Sequence, residues 1–380
     1  MPKKLFVLAG EVSGDIHAAG VVAQLLQAHS NVTVFGVGGA HLKKLGATLL
    51  YDTAQMSIMG IVEVVKHAGF LRRVIRELKA AIEREKPFAA LLVDYPGMNL
   101  HMAAFLHNLG IPVIYYVAPQ AWAWKEGRVK TIRATVDRLL VIFDFEVEFF
   151  RRHGIQTEFV GHPVIEELAG LAVPSRQDIL QRHALSPDTR LIGLLPGSRK
   201  QEIAYIFPAM LEAARKVSQT HKVAFLFGRA PNLKADHFRL LEEYGDLTII
   251  ECGAHGVMHA SELLLVTSGT ATFEALCFGA PMIVLYKTNA LNYFIGKRLV
   301  KLHNISLANI VAEGLLSNSR TVPELLQDEA TPEAIYQQVS TLLHDGKTLA
   351  AMRAKLLMAR AKLASVEPSK RVAAVIAEYL

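Results

Sequence analysis

Short apolar runs alternate along the chain with longer stretches in which apolar residues recur at helical spacing. This alternation is typical of βαβ units built around parallel sheets. In the first half, the predicted strands are Leu5–Ala9, Val32–Gly36, Ala89–Val93, Val113–Val117, Leu139–Phe143 and Glu158–Val160.

A polar stretch at about residues 162–188, with prolines at positions 174 and 187, marks a domain boundary, and the pattern then restarts. From Thr331 onward the pattern is helical, with Thr331 as N-cap and Pro332 in the first helical position. Two similar α/β halves facing each other predict a cleft between them. In the second half, the predicted strands are Arg190–Leu195, Lys222–Phe227, Leu247–Ile250, Glu262–Val266 and Met282–Tyr286.

The segment from Ile61 to Glu85 has the clearest helical periodicity. Its polar face is basic, with Lys66, Arg72, Arg73, Arg76, Lys79 and Arg84. A surface helix whose apolar stripe faces the core is the more common structure with this pattern. The alternative is a helix that lies in anionic head groups or contacts acyl chains, which the apolar run around Met56 and Met59 favours.

Composition narrows the class of protein. A chain of 380 residues predicts two domains, and its net charge of +6 suits an anionic partner such as nucleotide phosphates, acidic lipids or nucleic acid. Cys252 and Cys277 are the only cysteines, which excludes a disulfide framework and a multi-cysteine zinc site. The first apolar run ends at Gly10, too early for a signal peptide, and no run of 18 uncharged apolar residues follows. Any contact with a bilayer is therefore expected to be peripheral.

The segment Leu194–Arg199, with sequence LLPGSR, follows a predicted strand and opens a helix. Ser198 and Gln201 match a capping box, so the helix is predicted to begin there. Gly197 allows close backbone approach, and Arg199 offers a bidentate donor to phosphate oxygens. A tight turn with a solvated arginine fits the spacing equally well.

A second turn of this kind, Ser268-Gly269-Thr270, follows another predicted strand. Glu274, one helical turn on, could accept hydrogen bonds from ribose hydroxyls, or it could simply interact with the helix dipole. Two such turns in one domain favour a nucleotide diphosphate as the ligand.

Other nucleotide and metal motifs are missing. The sequence has no GxxxxGK[ST] motif, and no GxGxxG motif follows a strand. Asp144 and Glu146 could hold a metal, but a solvated turn is the favoured interpretation. His255 and His259 share a helix face without a third ligand. The sequence therefore predicts neither a metal nor a cofactor.

Acidic and hydroxyl residues follow two strands of the first half. Gly10–His17 contains Glu11, Ser13, Gly14 and Asp15, which suit sugar hydroxyls or a capped helix start. Asp94 follows four apolar residues and is the best candidate for a general base, although it could merely cap the next helix. Both tryptophans, Trp122 and Trp124, could stack on sugar rings or belong to the core.

With these residues in hand, the chain closely resembles the bacterial lipid-A-disaccharide synthase family. Eight motifs appear in the family's order along nearly the whole chain, and together they are highly specific. They are AGEVSGD (9–15), MGIVEV (59–64), DYPGMN (94–99), APQAWAW (118–124), GHP (161–163), LLPGSR (194–199), TSGTATFE (267–274) and SLANI (306–310).

The resemblance implies a GT-B fold: α/β, with two Rossmann-like domains and a C-terminal helix that returns to the first. The expected domains are 1–165 for the acceptor, 166–355 for the UDP-sugar and 356–380 for the returning helix. The implied substrates are UDP-2,3-diacylglucosamine and 2,3-diacylglucosamine 1-phosphate, and the products are UDP and a β-1,6-linked disaccharide phosphate. The implied location is cytoplasmic, peripheral on the anionic inner-membrane surface, with no nucleic acid partner and with a homodimer allowed.

The resemblance also assigns residues, with Asp94 as the catalytic base. The UDP site is expected to comprise Gly197, Ser198, Arg199, Ser268, Gly269, Thr270, Glu274 and Asn309. The acceptor site is expected to comprise Glu11, Ser13, Gly14, Asp15, Trp122 and Trp124. Contacts with membrane or acyl chains are expected from Met56, Met59, Val62, Val64, Val65 and Leu71.

A few positions depart from the commonest family pattern. Gly97 stands where many members have a second aspartate and Met98 replaces an aromatic residue, which leaves Asp94 as the only acid of its motif. Glu262 replaces an aspartate. The alternatives are another UDP-GlcNAc transferase or an epimerase of the same fold, or a nucleotide- or lipid-binding module without catalysis.

Overall fold

The computed structural model describes residues 2–56, 68–124, 127–289 and 302–380. The chain divides into two compact units. Unit 1 comprises Met1–Glu167 and Leu363–Leu380, and unit 2 comprises Leu168–Lys362.

Unit 1 is built on a parallel sheet of seven strands in the order β3-β2-β1-β4-β5-β6-β7. The central strands consist of apolar residues that are buried on both faces, as helices on both sides of a parallel sheet require. The strands are β1 (Lys3–Ala9), β2 (Val32–Gly38), β3 (Thr48–Asp52), β4 (Ala89–Val93), β5 (Val113–Tyr116), β6 (Arg138–Val141) and β7 (Thr157–Phe159).

The helices of unit 1 connect these strands. They are α1 (Val12–Ala28), α2 (Ala40–Lys44), α3 (Thr53–Met56), α4 (Ala68–Glu85), α5 (Pro96–Asn108), α6 (Ala121–Trp124), α7 (Gly127–Thr135), α8 (Asp144–Arg152) and α9 (Pro163–Ala169), the last of which continues into unit 2. In α4, the apolar residues Val74, Leu78, Ala81 and Ile82 are buried in the core of the unit. In the described part of this segment, the apolar stripe therefore faces the core, as in the first of the two predicted alternatives. Residues 57–67 lie outside the described residues.

Unit 2 has a parallel sheet with the order β10-β9-β8-β11-β12-β13. Its strands are β8 (Arg190–Leu195), β9 (Val223–Gly228), β10 (Ile249–Cys252), β11 (Leu263–Thr267), β12 (Met282–Tyr286) and β13 (Glu324–Leu326). Its helices are α10 (Arg176–Arg182), α11 (Lys200–Thr220), α12 (Ala254–Ala260), α13 (Thr270–Cys277), α14 (Leu307–Glu313), α15 (Pro332–His344) and α16 (Gly346–Leu363), with 3₁₀ turns at Ala235–Tyr244 and Gln327–Glu329. Thr331 caps α15 by accepting a hydrogen bond from the Ala334 N–H, as predicted.

The chain ends with α17 (Pro368–Ala377), which packs against α1 in unit 1. Glu166 fixes its start by accepting hydrogen bonds from the Ser369 N–H at 3.1 Å and the Ser369 hydroxyl at 2.5 Å. The prediction of a C-terminal helix that returns to the first half is confirmed.

All eleven predicted strands are present, with ends that shift by at most two residues. The sequence analysis missed β3 and β13, which lie at the edges of their sheets. Edge strands bury less apolar surface, and neither segment has the continuous apolar run that identified the central strands.

Both sheets reverse their strand order once, and this topological switch point is where ligands bind in open parallel sheets. In unit 1 the switch point lies between β1 and β4, and in unit 2 between β8 and β11. The sequence analysis selected all four of the chain segments that leave these strands as candidates for chemistry.

Candidate active site

The switch point of unit 1 brings together the segments after β1 and β4. Ala9 pairs with Val93, so Gly10 and Asp94 leave neighbouring strands at the same edge of the sheet. A β-carbon at Gly10 would lie 2.4 Å from the ring of Tyr95, so only glycine allows this approach. Glu11 and Asp94 therefore lie in the same region of unit 1.

The backbone around Asp94 is held in a rarely populated conformation. Asp94, Tyr95 and Val117 have φ values of 48°, 41° and 61°, in the left-handed region that residues other than glycine seldom adopt. Tyr115 Oη and Asn99 Nδ2 each donate a hydrogen bond to the Asp94 carbonyl oxygen, both at 2.6 Å. Strained backbone of this kind is concentrated at functional sites, where surrounding contacts maintain it.

Two carboxyl groups at this switch point are less acidic than usual. Burial raises the pKa of Asp94, against the opposing effects of the Tyr95 backbone, His17 and Arg128. Glu11 is exposed as a residue, but partial burial of its carboxyl group raises its pKa, and the charge of Asp94 raises it further. A carboxylate with a raised pKa is a stronger base, as deprotonation of a sugar hydroxyl requires.

The remaining residues of the β1–α1 turn differ in exposure. Ser13 is exposed, whereas Gly14 and Asp15 are buried. The Asp15 carboxylate accepts hydrogen bonds from the backbone N–H groups of Gly39, His41 and Leu42, at 2.7 to 3.2 Å. Asp15 thus fixes the turn after β2 against α1.

A cavity of ≈ 220 Å³ opens beside Asp94 and is called the Asp94 cavity here. Its lining includes three charged side chains, those of Asp94, Arg128 and Glu146. The other lining residues are Pro96, Val117, Ala118, Pro119, Gln120, Ile142 and Phe143. The motif that contains both tryptophans therefore contributes backbone and side chains to the cavity that contains Asp94.

The interpretation of Asp144 and Glu146 as a solvated turn is wrong for Glu146. Asp144 is exposed, but Glu146 is only 1% exposed, because α8 turns it into the unit. Its carboxylate accepts hydrogen bonds from Trp122 Nε1 at 3.0 Å and from the Phe143 N–H at 3.2 Å. Burial raises the pKa of Glu146 to about 7.

Trp122 is fixed by this hydrogen bond and by an edge-on contact with Phe145, with ring centroids 5.2 Å apart. The side chain of Trp124 lies outside the described part of the structure. Periodicity alone could not have identified either Glu146, which lies among other charged residues, or Tyr115, which lies within the apolar strand β5. The sequence offered a signal for two other residues. Asn99 is the last residue of the DYPGMN motif, and Arg128 lies four residues after the APQAWAW motif.

The LLPGSR turn lies at the switch point of unit 2, immediately after β8. The predicted cap is wrong: α11 begins at Lys200, and Glu202, not Ser198 or Gln201, binds the free backbone groups. Glu202 Oε2 accepts hydrogen bonds from the N–H groups of Ser198 and Arg199, at 3.0 and 3.2 Å. Gly197 has φ of 111°, and a β-carbon there would lie 2.6 Å from the same carboxylate.

Arg199 projects into solvent, with 81% of its side chain exposed, and pairs with Glu202 at 2.9 Å. The Glu202 carboxylate thus binds the same N–H groups and guanidinium that the sequence analysis assigned to a phosphate. The turn is therefore able to bind an oxyanion.

The second turn of unit 2 follows β11. Gly269, with φ of 156°, precedes α13, which begins at Thr270 and whose first N–H groups have no acceptor within the helix. Ser268 is partly buried, and Gly269 and Thr270 are exposed. Glu274 Oε2 lies 3.2 Å from His255 Nε2, which fixes the carboxylate on the first turns of the helix.

Asn309 is fully buried near this turn. Its Nδ2 donates to the Val322 carbonyl and to Glu324, and its Oδ1 accepts from the Thr321 and Val322 N–H groups. These bonds fix the start of α14, and the Ser268 hydroxyl reaches the neighbouring Ile305 carbonyl at 3.4 Å. Direct contact between Asn309 and UDP stays a prediction.

A larger pocket of ≈ 580 Å³ lies at the carboxyl ends of β9 and β10 and is called the Arg229 pocket here. Asn232, in the loop that borders it, donates to the Ser198 carbonyl at 3.0 Å. The pocket therefore adjoins the LLPGSR turn. Its lining residues are Arg229, Ala230, Pro231, Leu233, Glu251, Cys252 and Gly253.

Most residues expected to contact membrane or acyl chains, namely Met59, Val62, Val64 and Val65, lie outside the described residues. Met56 is fully buried in the core of unit 1, and Leu71 packs against the same core. Within the described ranges, no helix is long and apolar enough to cross a membrane, and no three histidine, cysteine or acidic residues are grouped as metal ligands.

Two doubly wound parallel sheets, one with an acid and the other with glycine turns at its switch point, place the chain in the GT-B fold class. Solved structures agree. The kitacinnamycin glycotransferase matches at a TM-score of 0.62 and 15% identity, with 100% of both chains covered. The UDP-GlcNAc 2-epimerase from Neisseria meningitidis, bound to UDP-GlcNAc, matches at 0.58 and 15% identity, with 99% of each chain covered. At these identities the likeness shows the fold alone.

The particular family follows from sequence. The model of the lipid-A-disaccharide synthetase family matches residues 5–377. The lipid-A-disaccharide synthase of Geobacter sulfurreducens is 37% identical over 380 residues, covering 99% of this chain and 97% of that protein. The chain belongs to the lipid-A-disaccharide synthase family, and it is a glycosyltransferase of the hexosyltransferase type.

Proposed function

We propose that the chain transfers 2,3-diacylglucosamine from UDP to the 6-hydroxyl of 2,3-diacylglucosamine 1-phosphate, with Asp94 as the general base. The reaction is that of the family. The observation that carries the role of Asp94 is its position: it follows β4 at the switch point of unit 1, its backbone is held by Tyr115 and Asn99, and burial raises its pKa.

The proposed mechanism is an inverting displacement. Asp94 takes the proton of the acceptor 6-hydroxyl as that oxygen forms its bond to the anomeric carbon of the donor. The bond from that carbon to the diphosphate oxygen breaks, and its electron pair leaves with UDP. The transition state resembles an oxocarbenium ion, so the negative charge that develops on the diphosphate needs stabilisation.

We propose that the two turns of unit 2 supply that stabilisation. Gly197, Ser198 and Arg199 on one turn and Ser268, Gly269 and Thr270 on the other would bind the diphosphate, with Arg199 exchanging Glu202 for phosphate oxygens. Glu274 would accept hydrogen bonds from the ribose, and the adjoining Arg229 pocket has room for the rest of the nucleoside. Asn309 would act by fixing α14 beside Ser268.

The acceptor is proposed to bind to unit 1. Glu11 and Ser13 are exposed at the switch point and would contact sugar hydroxyls, while Gly14 and Asp15 shape the turn that carries them. Trp122 borders the Asp94 cavity through its bond to Glu146, and Trp124 is proposed to contribute to the same side. The assigned domains remain 1–165 for the acceptor, 166–355 for the UDP-sugar and 356–380 for the returning helix.

The test of this function is a product assay. Both diacyl substrates are supplied, and the disaccharide phosphate is sought by mass spectrometry while released UDP is measured. Equal turnover of unacylated UDP-GlcNAc would instead favour another UDP-GlcNAc enzyme of this fold. The absence of UDP release with both substrates present would favour a non-catalytic binding module.

We also propose that the protein acts in the cytoplasm as a peripheral protein of the inner membrane, because its substrates carry acyl chains. Arg72, Arg73 and Arg76 are exposed on α4 and would contact anionic head groups. Vesicle flotation at low salt should show binding that weakens when all three arginines are replaced by glutamine. Unchanged flotation would place the contact elsewhere. Sedimentation of the same sample tests for a homodimer.

A further inference from the structure

Arg128 is a partly buried cation that lies close enough to Asp94 to lower the pKa of its carboxyl group. It lies in the first turn of α7 and lines the Asp94 cavity. Within the part of the chain that the structure describes, no hydrogen bond or ion pair engages its guanidinium. Arg138 and Arg371 of the same unit, by contrast, both pair with Glu158.

We propose that Arg128 binds the phosphate monoester of the acceptor sugar. This inference rests on the proposed function, which places the acceptor 6-hydroxyl at Asp94. In glucosamine 1-phosphate, the carbons that carry the phosphate and the hydroxymethyl group both flank the ring oxygen. A residue that binds the phosphate must therefore lie within about one sugar ring of the base, and Arg128 and Asp94 line the same cavity.

The size of the cavity suits this ligand. Pockets for drug-sized molecules measure about 300–1,000 Å³. The ≈ 220 Å³ of the Asp94 cavity holds a single sugar ring with its phosphate but not two acyl chains as well. The acyl chains must therefore lie outside the cavity. The polar groups that line it are then available to bind the sugar ring and the phosphate of the acceptor.

The charges of the cavity also fit. Arg128 presents a planar fork of donors that matches phosphate oxygens. Two carboxyl groups on the same wall would oppose an anion if both were ionised. Glu146, however, is held by Trp122 and the Phe143 N–H, and burial raises its pKa to about 7, so it readily becomes neutral. Asp94 is then the one acid that must be charged, and it faces the hydroxyl end of the sugar.

The test compares two acceptors, 2,3-diacylglucosamine 1-phosphate and the same sugar without its phosphate. Arg128→Gln should raise KM for the phosphorylated acceptor about tenfold to hundredfold, the loss expected for charged hydrogen bonds. It should change KM for the sugar without phosphate little and leave UDP affinity unchanged. Arg128→Lys should recover part of the loss, because lysine keeps the charge but not the fork.

Lys130→Gln is the matched control, since Lys130 is exposed on the same helix and lies outside the lining of the cavity. A loss of equal size with both acceptors would overturn the proposal, because Arg128 would then act on something other than the phosphate. If Arg128→Gln fails to fold, inhibition of the wild-type enzyme decides. Glucosamine 1-phosphate should inhibit at least about tenfold more strongly than glucosamine, and equal inhibition would overturn the proposal. Failure of the wild-type enzyme to form disaccharide would instead refute the proposed function.

Discussion

The two units share a sheet topology but place different chemical groups at the switch point. At the switch point of unit 1, the turns after β1 and β4 carry the carboxyl groups of Glu11 and Asp94, and burial raises the pKa of both. At the switch point of unit 2, the turns after β8 and β11 carry glycines with positive φ, backbone N–H groups and Arg199.

In the proposed function, one sheet topology therefore carries a general base in unit 1 and an anion site in unit 2. Unit 1 restrains a carboxylate by bonds to its backbone, which leaves the carboxyl oxygens free of those bonds. Unit 2 presents backbone N–H groups at a turn that have no backbone acceptor. In this structure the carboxylate of Glu202 accepts hydrogen bonds from them. The following predictions test whether turnover depends on residues of unit 1 and UDP affinity on residues of unit 2.

Asp94→Asn should give the largest effect. Loss of a general base lowers turnover about 10²–10⁴-fold, while UDP affinity should not change because the UDP site is assigned to unit 2. Turnover is measured by disaccharide formation and UDP binding by calorimetry. Asp52→Asn, at the end of the edge strand β3, is the control and should stay close to wild type. Normal turnover of the Asp94 variant would remove it from the mechanism.

Arg199→Ala should weaken UDP binding by about 1.5–3 kcal/mol, or roughly ten- to hundredfold, because charge-assisted bonds to the diphosphate are lost. The pKa of the base in unit 1, measured from the pH profile, should not move. Calorimetry with UDP provides the measurement, and Arg239→Ala, an exposed arginine of the same unit, provides the control. Unchanged UDP affinity would contradict the assignment of the LLPGSR turn to phosphate.

The pH profile should distinguish the two carboxyl groups of unit 1. Asp94 must be ionised to act as a base, so kcat/KM should fall as the pH drops through its raised pKa, above the ordinary value of 3.8. Repulsion between Glu11 and Asp94 is mutual. Glu11→Gln should therefore shift the acid limb to lower pH. An acid limb that stays in place would show that Glu11 does not influence the base.

Glu202→Gln should have the smallest effect, a rise in UDP affinity of a few-fold. The carboxylate of Glu202 now engages the Ser198 and Arg199 N–H groups and the guanidinium, so it competes with phosphate for the same donors. Glutamine removes the charge, and the loss of an opposing anion is worth about 1 kcal/mol or less in an ion pair whose arginine is exposed. Weaker UDP binding would mean that Glu202 organises the turn and does not compete for it.

The sequence predicted the central parts of both sheets because buried parallel strands are continuous apolar runs bounded by turn residues. It also selected all four turns at the switch points, since Gly10, Asp94, Gly197 and Ser268 each stand within two residues of such a run. The sequence-based predictions were wrong where they depended on a short local pattern and tertiary contacts decided the outcome. Glu146 lies among charged residues and was taken for a surface group, yet tertiary contacts bury it. Ser198 and Gln201 matched a cap, but Glu202 made the bonds.

The non-contiguous composition of unit 1 has a consequence for biosynthesis. Leu363–Leu380 belongs to this unit, and α17 packs on α1, which contains the turn that follows β1. On the ribosome, the continuous unit 2 is fully synthesised before the last segment of unit 1 emerges. The half of the enzyme that is translated first is thus completed last, and a nascent chain released early would expose the apolar face of α1 to chaperones and proteases.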